Sequence, residues 1–163
     1  MSAPFETVEQ RRTIVDRRSL ADALAALPRR KRDEAAQRLL QDALQTGRDE
    51  IARRLAAEPG RGRNAARATA YLHDQLVRVI HDFVAPNAPS EPMAIVGLGG
   101  TGRGEMAPFS DLDLMFLTPR EATGEQVKVV EAILHLLWDL QLKLGHSLRS
   151  AGELMALARS DMT

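Results

Sequence analysis

The chain has 163 residues, in which 22 Lys and Arg balance 22 Asp and Glu, and it contains no cysteine. The charge balance gives no bulk electrostatic basis for binding nucleic acid or a membrane, and the missing thiols exclude disulfides, thiolate metal sites and cysteine nucleophiles. No apolar leader opens the sequence and no apolar run is long enough to span a bilayer, so a cytoplasmic protein is expected, with neither membrane nor nucleic acid among its partners.

Leu20, Leu24 and Leu27 predict a short helix stopped by Pro28. The basic run Arg29, Arg30, Lys31 and Arg32 reads as the solvated start of the next helix, with a phosphate-binding patch as the alternative. Asp33 to Ala57 is rich in strong helix formers and places Leu39, Leu40, Leu44, Ile51 and Leu55 in approximate helical register. Glu58 to Gly62 breaks it, and a second long helix runs from Asn64 to Val84. Its apolar face is Leu72, Leu76, Val79, Ile80 and Phe83, and it ends near Pro86 and Pro89.

The pattern then changes. Met93 to Leu98 and Leu112 to Leu117 are short apolar runs that predict buried strands, joined by a turn rich in glycine. A helix is expected from Glu125 to Leu144 with Gly145 as its C-cap and Trp138 in the core, and His146 to Arg149 suggests a third short strand. Ser150 to Glu153 reads S-x-x-E, a capping box that opens a last helix ending near Arg159. Two units follow from this order: a helical segment over 1–61 and an α+β domain with a small mixed sheet over 62–163.

Residues 95–114 read I-V-G-L-G-G-T-G-R-G-E-M-A-P-F-S-D-L-D-L and carry the chemistry. Gly97, Gly99 and Gly102 satisfy the G-x-G-x-x-G spacing of dinucleotide sites, but that motif needs a full helix and a parallel crossover of a dozen or more residues. Pro108 and the next strand arrive too soon for either. The competing reading is a strand, a diglycine turn and then Asp-x-Asp on a neighbouring strand. Asp111 and Asp113 are two residues apart, so on a strand both carboxylates share one face. Two like charges that close are unfavourable unless a cation joins them, and magnesium suits carboxylate and triphosphate oxygens. Gly99 and Gly100 let phosphates approach the backbone. Arg103 can neutralise triphosphate charge or pair with Glu105 or Asp111, and Ser110 can bond a phosphate or cap the local turn.

This stretch resembles the nucleotidyltransferase signature of bacterial PII uridylyltransferase/uridylyl-removing enzymes. Residues 137–149, L-W-D-L-Q-L-K-L-G-H-S-L-R, resemble a second segment of that family, at the right separation from the first. The resemblance runs over about residues 62–163, and the first sixty match no segment we can name. Thr101, Met106 and Gln141 stand where the family usually has Tyr, Leu and Gly. The resemblance implies a DNA polymerase beta-like nucleotidyltransferase fold, two Mg2+ ions held by Asp111 and Asp113 as catalytic residues, and UTP bound over Gly99, Gly100, Arg103 and Ser110. The acceptor it implies is a tyrosine of the PII signal-transduction protein, in nitrogen regulation. It also implies a third carboxylate, an HD phosphohydrolase domain and ACT domains, none of which the sequence contains. The chain is therefore expected to be an amino-terminal piece of a longer, multifunctional enzyme, weak or inactive alone. An adenylyltransferase acting on another target, or a non-catalytic nucleotide-binding module, is the alternative.

Four further residues invite functional readings. His73-Asp74 and His81-Asp82 are H-D pairs, but both fall on one predicted helix, so solvated or capping roles are expected rather than metal binding. His146 pairs with Asp139 or Glu153, or orients the site. Arg149 reaches a phosphate or makes an ion pair.

Overall fold

The computed structural model describes residues 5–28, 30, 32–85 and 91–160. Helices come first: α1 (Arg11–Ile14), α2 (Arg17–Ala25), α3 (Arg32–Ala57) and α4 (Gly62–Val84), with a 3-10 turn at Pro59–Arg61 between the last two. Asp16 caps α2 by accepting from the Ser19 N–H. The leucine register on α3 and α4 is realised, with Leu40, Leu44, Leu72, Leu76 and Ile80 all buried. Each such side chain contributes about 1.5–3 kcal/mol by leaving water. Arg29, Lys31, Pro86 and Pro89 lie outside the described residues, while Arg32 stacks over the Phe83 ring at 4.4 Å.

The sheet follows as β1 (Ala94–Gly97), the one-turn helix α5 (Gly99–Arg103), β2 (Leu112–Thr118), α6 (Gly124–Asp139), β3 (Leu144–Ser150) and α7 (Ala151–Ser160). Strand order is β1-β2-β3, with β1 antiparallel and β3 parallel to β2. The fold is thus α+β with a small mixed sheet, as the sequence predicts. The antiparallel β1–β2 pair also removes the dinucleotide reading, which needs a parallel crossover. Leu112, Leu114, Phe116 and Thr118 are buried on one face of the central strand. One apolar cluster extends from Val8, just before α1, to Leu142 beside the sheet.

Two devices fix the sheet to the helices. Thr123 and Gln126 form a complete capping box at the start of α6. The wholly buried Gln126 also donates from its amide to the Pro92 carbonyl at 3.1 Å, just before β1. Ser150 and Glu153 cap α7 reciprocally, as the S-x-x-E spacing predicts. No helix among the described residues is long and apolar enough to cross a membrane.

Several expectations need correction. Helix α6 ends at Asp139, not near Leu144, because Gln141 turns into the left-handed region at φ 55° and the chain reverses there. Gly145 is therefore not a helix cap but the second residue of β3. Trp138 is not core: it lies 47% exposed and meets His135 and His146 edge-to-face. His73 is buried rather than solvated.

Candidate active site

The glycine-rich segment folds tightly against the sheet. Gly99 takes the left-handed conformation at φ 51°, which starts α5 directly after Leu98. Gly104 ends it at φ 69°, with its N–H bonded to the Thr101 carbonyl at 3.1 Å. The next residues are anchored to α4: the Met106 N–H donates to the Ala66 carbonyl at 3.0 Å, and the Met106 side chain is buried. Arg63 and Arg67 both donate to Glu105, at 2.8 and 3.1 Å. These two guanidiniums, Arg63 foremost, hold the Glu105 carboxyl below its ordinary range. Neither arginine was singled out from the sequence; their spacing of four on one helix face, opposite an acid in the glycine-rich segment, was the available signal.

Asp111 is exposed and immediately precedes β2, while Asp113 is the second residue of that strand and half-buried. The backbone of Asp113 is fixed from both directions. Its carbonyl accepts from the Leu98 N–H at 2.9 Å, and its N–H donates to the Thr101 hydroxyl at 3.1 Å. The Asp113 carboxylate lies against Gly99, since a Cβ placed on that glycine would sit 3.1 Å from Oδ2. Across the parallel pair, Asp113 is in register with Gly145. The structure thus brings Gly99 and Gly145 against the Asp113 carboxylate, with Thr101 on its backbone N–H. Sequence reasoning treated Thr101 only as a departure from a family pattern and misplaced Gly145.

The remaining candidates separate into different roles. Ser110 closes its own turn, with both its N–H and its hydroxyl donating to the Ala107 carbonyl, at 3.1 and 2.9 Å. Arg103 is exposed, and Glu105, one of its expected partners, is taken by Arg63 and Arg67. Among the described residues no side-chain cation pairs with Asp111 or Asp113. His146 meets Trp138 edge-to-face at 5.8 Å, and Glu153 is engaged by Ser150, so the His146–Glu153 pair offered as an alternative does not form. Arg149 is exposed and lies four residues along β3 from Gly145.

Two carboxylates with no cationic side chain against them offer hard oxygen donors that fit magnesium. No cluster of three or more His, Asp or Glu able to hold a metal occurs among the described residues, so these two would have to share the ion with oxygens from elsewhere, such as a triphosphate.

Comparison with known proteins identifies the family of the chain. A family model described as "Putative nucleotidyltransferase DUF294" matches residues 46–159. The chain is 48% identical over 166 residues to the bifunctional uridylyltransferase/uridylyl-removing enzyme of Novosphingobium aromaticivorans, covering 96% of this chain and 18% of that protein. It is 42% identical over 166 residues to the enzyme of the same name from Erythrobacter litoralis, and 40% identical over 168 residues to that of Rhodospirillum rubrum, with the same coverage. The similarity therefore takes in the amino-terminal helices as well, which the sequence reading could not place. The chain spans about a fifth of the length of these relatives. No solved structure matches it significantly. With Asp113 on the central strand of a mixed sheet, Asp111 just before it and a diglycine turn beside them, the chain belongs to this nucleotidyltransferase family.

Proposed function

We propose that this chain holds the transferase site of an enzyme that moves UMP from UTP to a tyrosine hydroxyl of the nitrogen-regulatory PII protein. The observation that carries the reading is Asp113, held by its main chain with its carboxylate beside Gly99, with Asp111 just ahead of it and no cationic side chain to neutralise either. UTP lies with its triphosphate along Gly99 and Gly100, whose backbone N–H groups can donate to phosphate oxygens, and Arg103 is free to meet their charge. Asp111 and Asp113 hold the magnesium; Ser110 supports them by closing the turn that leads into Asp111. Bound magnesium would neutralise phosphate charge and lower the pKa of the attacking hydroxyl. In the transfer, the phenolic oxygen forms a bond to the α-phosphorus, the bond to the β-phosphate bridging oxygen breaks, pyrophosphate leaves, and the phenolic proton passes to water. The protein's part is positioning and charge stabilisation.

The relatives' names favour uridylyl over adenylyl transfer, and the test separates the two. In the full-length protein, Asp111→Asn and Asp113→Asn should each lower UMP transfer by more than about a hundredfold, the upper range seen when even supporting residues of metal sites are lost. Their melting temperatures should stay close to wild type. Near-normal transfer by both variants overturns the site, and AMP transfer from ATP in preference to UTP overturns the base assignment.

A further inference from the structure

We propose that Gly145 is a positioning residue for the Asp113 carboxylate, and that its absent side chain is what lets that carboxylate stand where a metal ion can use it. The functional consequence rests on the transferase reading; the structural one does not.

The argument begins with register. β2 and β3 run parallel with Asp113 opposite Gly145, so the two residues project from the same face of the sheet. A Cβ built on Gly145 would collide with Asp113 Oδ1, and its next nearest neighbours are Asp113 Cγ at 3.4 Å and Asp113 Cα at 3.9 Å. All three nearest atoms belong to Asp113, so the space in front of Gly145 is filled by that side chain. On the other side, a Cβ on Gly99 would come to 3.1 Å from Oδ2. The carboxylate therefore occupies a slot whose two walls are glycines from different elements, α5 and β3.

The backbone does not require glycine at 145, because its φ is not among the positive values of this chain. Glycine in a strand interior weakens the strand and often marks a close approach by something else. Here that neighbour is a carboxylate. Because Asp113 is held by its own main chain to Leu98 and Thr101, a methyl group at 145 leaves the strand in place and can be relieved only by swinging the carboxylate away. The cost to folding is small, since a side-chain terminus moves, while the cost to a metal site is large, since its ligand moves.

The test uses Gly145→Ala in the 163-residue chain, read in two ways. Without metal, the side-chain couplings of Asp113 measured by NMR should report a changed χ1. With metal, Mn2+ binding in the presence of UTP, followed by water proton relaxation, should weaken by about 10- to 100-fold, as for other residues that orient metal ligands. The melting temperature should remain near wild type. In an Asp113→Asn background, Gly145→Ala should cost no further Mn2+ affinity, which a general structural defect would not spare. Wild-type couplings in the variant overturn the assignment, as does undiminished Mn2+ affinity or loss of the fold. If the wild-type chain takes up no Mn2+, the transferase reading fails, and the couplings alone decide the role of Gly145.

Discussion

The Thr101 hydroxyl accepts the Asp113 N–H at 3.1 Å, across a gap that neither strand pairing nor helix geometry would close. Asp113 sits where β1 has already ended, so its carbonyl meets the Leu98 N–H while its own N–H would otherwise face the one-turn helix without a partner. Thr101 supplies that partner and donates its hydroxyl proton to the Met106 sulfur at 3.7 Å. The bond links the glycine-rich turn to the strand that carries the acid.

Thr101→Val keeps the shape and removes the acceptor. The stranded N–H should then cost about 1 kcal/mol, the low end of the penalty for an unsatisfied donor, because Asp113 is half-buried. Amide hydrogen exchange is the direct check: protection at Asp113 should fall selectively, with the rest of β2 little changed. Uniform loss of protection along the strand, or none at Asp113, would show that the hydroxyl does not hold this junction.

Gln141 is the position at which α6 gives way to β3. It adopts φ 55°, with its N–H bonded to the Trp138 carbonyl at 2.8 Å, while the Leu142 N–H reaches the Leu137 carbonyl at 3.4 Å. This is the left-handed helix ending that glycine usually serves. A side chain there adds strain, so Gln141→Gly should raise stability by roughly 0.5–1 kcal/mol net of the entropy glycine adds to the unfolded chain. Urea denaturation midpoints decide it; a variant that melts at lower urea would mean that the glutamine side chain contributes more than its backbone costs.

The same residue shows where the sequence was legible and where it was not. Long helices α3 and α4 announce themselves through leucines repeated on one face, and α7 through its Ser150–Glu153 box, because burial and capping are local patterns. The end of α6 carries neither glycine nor proline, so the helix reads as running on to Gly145, although Leu140, Leu142 and Leu144 already alternate with the period of a strand. Misplacing that end hid the strand position of Gly145 and put Trp138 inside. α5 was invisible for the opposite reason: a run of glycines opposes helix by propensity, and it forms only because tertiary contacts with β1 and β2 hold it. Asp-x-Asp was readable as a motif, whereas the slot around Asp113 depends on a strand pairing that no local pattern encodes.

His73 gives a stability prediction whose sign follows from burial. It lies 5% exposed on α4, and both ring nitrogens lack a hydrogen-bond partner. Desolvation, with a smaller contribution from the nearby Arg48 guanidinium, lowers its pKa from 6.5 to about 4. In the unfolded chain the imidazole protonates at its ordinary value, so between pH 6.5 and about 4 the unfolded state binds the extra proton. Stability contributed by neutral His73 is therefore complete above pH 6.5 and is lost progressively as pH falls toward 4, by up to about 3 kcal/mol. His73→Leu removes the titration together with the two unpartnered nitrogens while filling similar volume. Its melting temperature should exceed that of wild type, and the gap should widen steadily from pH 7 to pH 4, at about 2–4 °C for each kcal/mol. Parallel melting curves across that range would mean that His73 is solvated when folded, contrary to its burial.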